Sequence, residues 1–145
     1  MIILLDSGPL GRLTNPRATR EGDQCLAWLE TMVTSEARVM VPEICDYELR
    51  RELLRIASIK SVAILDELRA TLGLVALNRS TMLRAAQLWA EIRKLGLPTA
   101  DEKALDVDVI LAAQALEVNG IVATENISHL SRLVDAKHWR DIKSP

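Results

Sequence analysis

The chain begins MIILLDSG, five apolar residues followed at once by Asp6, Ser7 and Gly8. A short, unbroken apolar run closed by turn residues suits a strand buried on both faces, the central strand of a parallel sheet. Asp6 then stands at the strand's carboxyl end, the edge of an open α/β sheet where ligands and chemistry gather. Three more short apolar runs follow, at 37–41 (ARVMV), 74–77 (LVAL) and 121–124 (IVAT). Segments with helical spacing separate them. Strands alternating with helices imply an α/β fold, a three-layer α/β/α domain with a central parallel sheet of four to five strands. With no repeat, linker or low-complexity stretch, residues 1–145 are expected to form one domain.

Between the strands, residues 7–22 are rich in Gly, Pro, Thr, Asn and Arg and read as a long loop at the carboxyl edge. Asp23 caps an expected helix over 24–34, with Cys25, Leu26, Leu29 and Val33 as its buried stripe. Pro42 suits the first turn of the next helix, which carries Ile44, Cys45, Leu49, Leu53 and Ile56. A helix over 60–71 ends at Gly73. Another opens at Ser80 and is terminated by Gly96 and Pro98. An acidic loop over 96–105 precedes a helix that Asp106 begins and Gly120 closes. A short helix near 127–133 and an edge strand in the tail, around Trp139 and Ile142, complete the pattern.

No apolar run exceeds about five residues, against the roughly 20 that span a bilayer. Met1 leads directly into the first strand, so no signal peptide is expected. Cys25 and Cys45 lie outside any CxxC pattern, so free thiols and a cytoplasmic setting are expected. Net charge is −2, with no Phe, three Trp and one Tyr. That leaves little for a base-stacking platform, and contact with nucleic acid would fall mostly on phosphate. Arg12, Arg17 and Arg20, and Arg50, Arg51 and Arg55, are the cations placed to guide such a backbone.

Carboxylates recur near the strand ends. Asp6 follows the first strand, and Glu48 lies on the helix after the second. Asp106 and Asp108 open the helix before the fourth, and Thr124, Glu125 and Asn126 follow it. Crowded carboxylates repel one another unless a cation intervenes, and hard oxygen ligands suit Mg²⁺ or Mn²⁺. Such an ion activates water and neutralises a phosphodiester. Each acid alone has a plainer reading: Asp6 as a turn or cap residue, Glu48 as half of a surface ion pair, Asp106 as an N-cap. Residues two apart on a helix point in different directions. Ala112 and Ala115, one and two turns from Asp108, favour Asp108 over Asp106 as the inward acid. His129 and His138 lack zinc-ligand spacing, and no GxSxG elbow, GxGxxG or Walker loop is present. An aspartyl-phosphate phosphatase would need a second Asp where Gly8 stands.

In this order, LLDSG, PEICDYELRREL, DVDVILAAQAL and IVATENISHL resemble the motifs of a PIN domain, and in size and layout the VapC-like toxin ribonucleases. The resemblance covers essentially the whole chain. It implies a Mg²⁺- or Mn²⁺-dependent endoribonuclease, with Asp6, Glu48 and Asp108 at the metal and Asp106 as an additional acid. Ser7 and Thr124 become supporting polar groups. Asn126 takes a catalytic position where many relatives carry aspartate. From the charge pattern, Arg12, Arg17, Arg50 and Arg51 are expected to line the RNA backbone. The resemblance also implies homodimers and, for toxin members, a small antitoxin. The alternative is a catalytically silent PIN-like module that binds nucleic acid or protein, which the missing charge at Asn126 suggests.

Overall fold

The first strand, β1 (Ile2–Leu5), lies in the middle of the sheet. In the computed structural model, which describes residues 1–96 and 102–145, five strands pair in parallel in the order β3-β2-β1-β4-β5. The others are β2 (Arg38–Pro42), β3 (Leu74–Val75), β4 (Ile121–Thr124) and β5 (Ala136–His138). Ile3, Leu4 and Leu5 are all fully buried. Successive strand residues point to opposite faces, so helices must cover both sides of the sheet. This is the three-layer α/β/α arrangement that the spacing of apolar runs implies. Each of these side chains contributes roughly 1.5–3 kcal/mol relative to exposure.

Register places the strand ends together. Leu4 pairs with Met40 on one side and Val122 on the other, and Leu5 pairs with Ala123. The ladder runs one residue further, with the Asp6 N–H donating to Ala123 O at 3.0 Å. β4 approaches β1 closely because of Gly120, where a Cβ would stand 2.5 Å from Leu4 Cδ1. The left-handed residue that ends the preceding helix is Asn119 (φ 52°), so Gly120 serves the close approach and not the turn.

Several sequence expectations are corrected. Residues 7–14 are helical and not loop: α1 (Ser7–Thr14) has Asp6 as its N-cap, Pro9 in the first turn where its missing N–H costs nothing, and buried Leu10 and Thr14. The next helix, α2 (Arg20–Thr34), starts earlier than expected and is capped by Thr19 and not Asp23. Its buried stripe is Cys25, Trp28, Leu29 and Met32, while Leu26 and Val33 are about half exposed. Trp28 draws the stripe round: its Nε1 donates to Ile142 O at 3.1 Å and its ring packs 5.9 Å from that of Trp139. After β2, helix α3 (Glu43–Arg55) buries Ile44, Cys45 and Leu53 and leaves Ile56 exposed. Pro42 is the last strand residue and the cap of α3, one place before the helix proper.

α4 (Ile59–Leu72) leads to a β3 of only two residues. α5 (Arg79–Leu95) is capped by Asn78, which accepts from Thr81 N, and not by Ser80. Gly96, at φ 63°, ends α5 as expected. α6 (Glu102–Glu117) begins before Asp106, which removes that residue from the cap position. The remainder of the expected loop, 97–101, lies outside the described residues. α5 and α6 share a core of Ala85, Leu88 and Ile92 against Leu105, Val109, Ala112 and Ala113. The short α7 (Ile127–Leu130) ends before 133. The tail adds β5 beside β4, with Trp139 just beyond it in a single 3₁₀ turn.

Candidate metal centre

Asp6 is held by donors from three elements. Its Oδ1 accepts from Ser7 N–H at 2.7 Å, at the start of α1, and from the Cys45 thiol of α3 at 3.7 Å. Its Oδ2 accepts from Thr124 Oγ1 at 2.7 Å. Thr124, fully buried at the end of β4, in turn accepts from Asn126 N–H at 2.9 Å. A hydroxyl both donates and accepts, so threonine passes the backbone's polarity on to the carboxylate. The supporting role expected of Ser7 is carried chiefly by its backbone N–H, and that of Asn126 reaches Asp6 through its own backbone.

Glu48 and Asp108 meet Asp6 in one cleft of about 260 Å³ at the sheet's carboxyl edge, which Glu125, Asn126 and His129 also line. Glu48 sits on the second turn of α3 and Asp108 on the second turn of α6, both half-buried. The two helices are tied by Gln114, the one fully buried amide side chain among the described residues. Its Nε2 donates to Val75 O, and its Oε1 accepts from Ile44 N–H at 3.3 Å. One side chain on α6 thus fixes both the end of β3 and the start of α3. Ala112 and Ala115, wholly buried, let α6 lie close to the rest of the core.

The field in the cleft is negative. The Asp108 carboxyl is pushed up to about 7, first by burial and then by the charges of Asp6 and Glu48. Burial, with the same two charges behind it, drives the Cys45 thiol well above its usual range, so it stays protonated and donates to Asp6. Among the described residues, no three His, Cys, Asp or Glu groups stand at ligating distance of a common point. The donor set nonetheless fits a hard divalent cation: carboxylate oxygens that raise each other's proton affinity are those a cation would relieve.

Not every candidate arrives here. Asp106 is exposed on another side of α6, beside Met82, Ala85 and Trp89 of α5. The arginines expected at an RNA backbone are largely engaged. Arg12 forks onto Glu125 and pairs with Glu21, and Arg50 bridges Asp46 and Asp66 at 2.8 Å. Arg55 pairs with Glu52, and Arg51 lies over the Tyr47 ring at 5.2 Å. Arg17 is exposed and, like Arg51, forms no ion pair among the described residues.

Four contributors are not assigned to the site by sequence reasoning. Gln114 is signalled only as a polar residue inside the apolar run ILAAQAL. Cys45 sits one turn before Glu48, which is a hint only once Asp6 is known to lie opposite. Glu125 is one of the strand-end acids beside Asn126, but its sequence context gives it no role of its own. His129, expected at the surface or as a cap, is partly buried and lines the cleft.

No protein-family model and no curated protein matches the sequence. The fold, however, is shared with solved structures. The VapBC2 complex of Rickettsia felis, bound to a DNA fragment from its promoter, matches with a TM-score of 0.78 at 18% identity, over 96% of this chain and 99% of that one. VapBC-1 of nontypeable Haemophilus influenzae matches with a TM-score of 0.71 at 19% identity, over 97% and 100%. FitAcB of Neisseria gonorrhoeae gives 0.71 at 21%, over 97% and 99%. The chain has the PIN-like fold of these structures.

Proposed function

We propose that the chain is a divalent-cation-dependent endoribonuclease that hydrolyses RNA phosphodiester bonds, and that it serves as the toxin of a toxin–antitoxin pair. One observation carries the catalytic reading. Asp6, Glu48 and Asp108, delivered by β1, α3 and α6, line one cleft in which two of them raise the proton affinity of the third. The toxin reading rests on the fold shared with the VapBC and FitAcB structures.

Asp6, Glu48 and Asp108 would hold Mg²⁺ or Mn²⁺, which when bound lowers the pKa of water and neutralises charge on a phosphodiester. Asp6 would be the fixed ligand, since donors from Ser7, Cys45 and Thr124 hold its carboxylate plane. Asp108 must release its proton to ligate, and below about pH 7 that proton stays on its carboxyl. Glu48 completes the ligand set or orients the attacking water. Of Arg12, Arg17, Arg50 and Arg51, the two outside ion pairs, Arg17 and Arg51, would meet the RNA backbone.

Asp6→Asn tests the reading. The variant keeps the capping geometry and removes the charge, so RNA cleavage with Mn²⁺ should disappear while circular dichroism and the unfolding midpoint stay near wild type. Cleavage at an undiminished rate by a folded Asp6→Asn protein would overturn the mechanism.

A further inference from the structure

The cleft contains a fourth carboxylate, Glu125, at the corner where Asn126 brings no charge. Glu125 is not free. The Arg12 guanidinium grips it in a fork, with Nε on Oε1 and Nη2 on Oε2 at 3.1 Å. Trp139 Nε1 donates to the same Oε1 at 3.0 Å, and a third guanidinium nitrogen pairs with Glu21. These contacts hold the Glu125 carboxyl below the usual carboxylate range in spite of its partial burial, and raise Arg12.

Local structure makes this grip specific. Arg12 lies on α1, the helix that Asp6 caps, so β1 sets the position of both. Glu125 Oε2 rests over Gly8, where a Cβ would stand 3.4 Å away, in van der Waals contact. Trp139 is buried against Trp28, and the Arg140 guanidinium lies over its ring at 4.5 Å, so the indole donor is anchored. A bidentate guanidinium–carboxylate pair with a third, fixed donor is geometrically demanding and resists exchange.

We infer that Arg12 is a built-in cation of this centre: it engages both oxygens of Glu125, so the cleft takes one divalent cation through Asp6, Glu48 and Asp108 and not two. This rests on the metal-centre reading and goes beyond it by fixing the stoichiometry. A second divalent ion at the Asn126 corner needs a carboxylate there, and Glu125 is the one available in the cleft among the described residues. While Arg12 and Trp139 hold it, both oxygens of that carboxylate accept from fixed donors and offer little to a second ion. Removing the guanidinium frees Glu125 beside Asn126, and the corner gains a hard anionic ligand.

The test is Mn²⁺ stoichiometry, by calorimetry and by electron paramagnetic resonance of free Mn²⁺, on the full chain without RNA. Wild type should bind one Mn²⁺. Arg12→Met should bind two, Arg12→Lys one, because a point charge remains, and Arg12→Met/Glu125→Gln one again. The double variant assigns any second ion to Glu125 rather than to Glu21, which also loses its Arg12 partner, and the wild-type count keeps the inference falsifiable if Arg12→Met alone folds poorly. Two ions in wild type, or a folded Arg12→Met protein that still binds one, overturns the inference and leaves the metal centre standing. No binding by wild type overturns the metal-centre reading itself, a different and distinguishable failure.

Discussion

Asp106 and Asp108 sit two residues apart on α6 and lead opposite lives. Asp108 is half-buried in the cleft with Asp6 and Glu48, and its carboxyl is pushed up to about 7. Asp106 is exposed at the rim of an apolar groove of about 390 Å³ between α5 and α6, beside Trp89, Val109 and Ile110. Residue type, helix and approximate height are the same. What differs is how much water each carboxylate keeps and which charges face it. An acid takes on chemical work where the fold removes its solvent and places like charges nearby, and stays a solubilising group where it does not.

The contrast is broken most directly in the cleft. Asp108→Asn should lower the initial rate of Mn²⁺-dependent RNA cleavage by about 100-fold or more, a loss on the scale of removing one preorganised charge-stabilising group. A rate within a few-fold of wild type would mean that Asp108 is no different from Asp106. Next in size is the tie that aims α6. Gln114→Ala leaves the Val75 carbonyl and the Ile44 N–H without their buried partner, a cost of about 1–3 kcal/mol. The thermal midpoint should drop by several degrees, and cleavage should fall further than the lost stability explains, because Glu48 and Asp108 lose their common reference.

The pH dependence sharpens the comparison further. The folded-state value for Asp108, about 7, lies above its ordinary 3.8. Between those pH values the folded chain keeps a proton that the unfolded chain has released, so this group's effect on stability becomes less favourable as pH rises through that window. The midpoint of metal-free wild type should therefore decline from about pH 4 to about pH 7 relative to Asp108→Asn. Mn²⁺ affinity should climb by up to about tenfold per pH unit below 7, as the proton is displaced. The smallest effect belongs to Asp106→Asn: cleavage rate unchanged within error and stability within about 0.5 kcal/mol. A large loss there would move the centre to the other side of α6.

Much of the site was legible from residues alone because it lies where local rules are strong. MIILL can hardly be other than a buried strand, which puts Asp6 at its carboxyl end. IVAT sets Thr124 at the end of a second such strand. Ala112 and Ala115 mark the close-packed side of α6 and so favour Asp108. The stretch 7–14 was misread because Gly8, Pro9, Gly11 and Thr14 are weak helix formers. The decisive contributions, the Asp6 cap and the burial of Leu10 and Thr14, come from neighbours. The stripe of α2 was displaced for a similar reason, since Trp28 and Trp139 pack together across more than a hundred residues of sequence.

Charge was the least legible property. The runs at Arg12–Arg20 and Arg50–Arg55 read as free cations, and the fold turns Arg12 onto Glu125 and Glu21, and Arg50 onto Asp46 and Asp66. Ion pairs form between side chains that the topology brings together, and nothing in a linear charge pattern records that distance. Periodicity and strand-end position are encoded within a few residues, so the sequence alone determined the parallel α/β sheet and the place of Asp6 in it. The arrangement of Glu48, Asp108, Gln114 and the Arg12–Glu125 pair around Asp6 depends on how distant helices pack, and only the tertiary structure decided it.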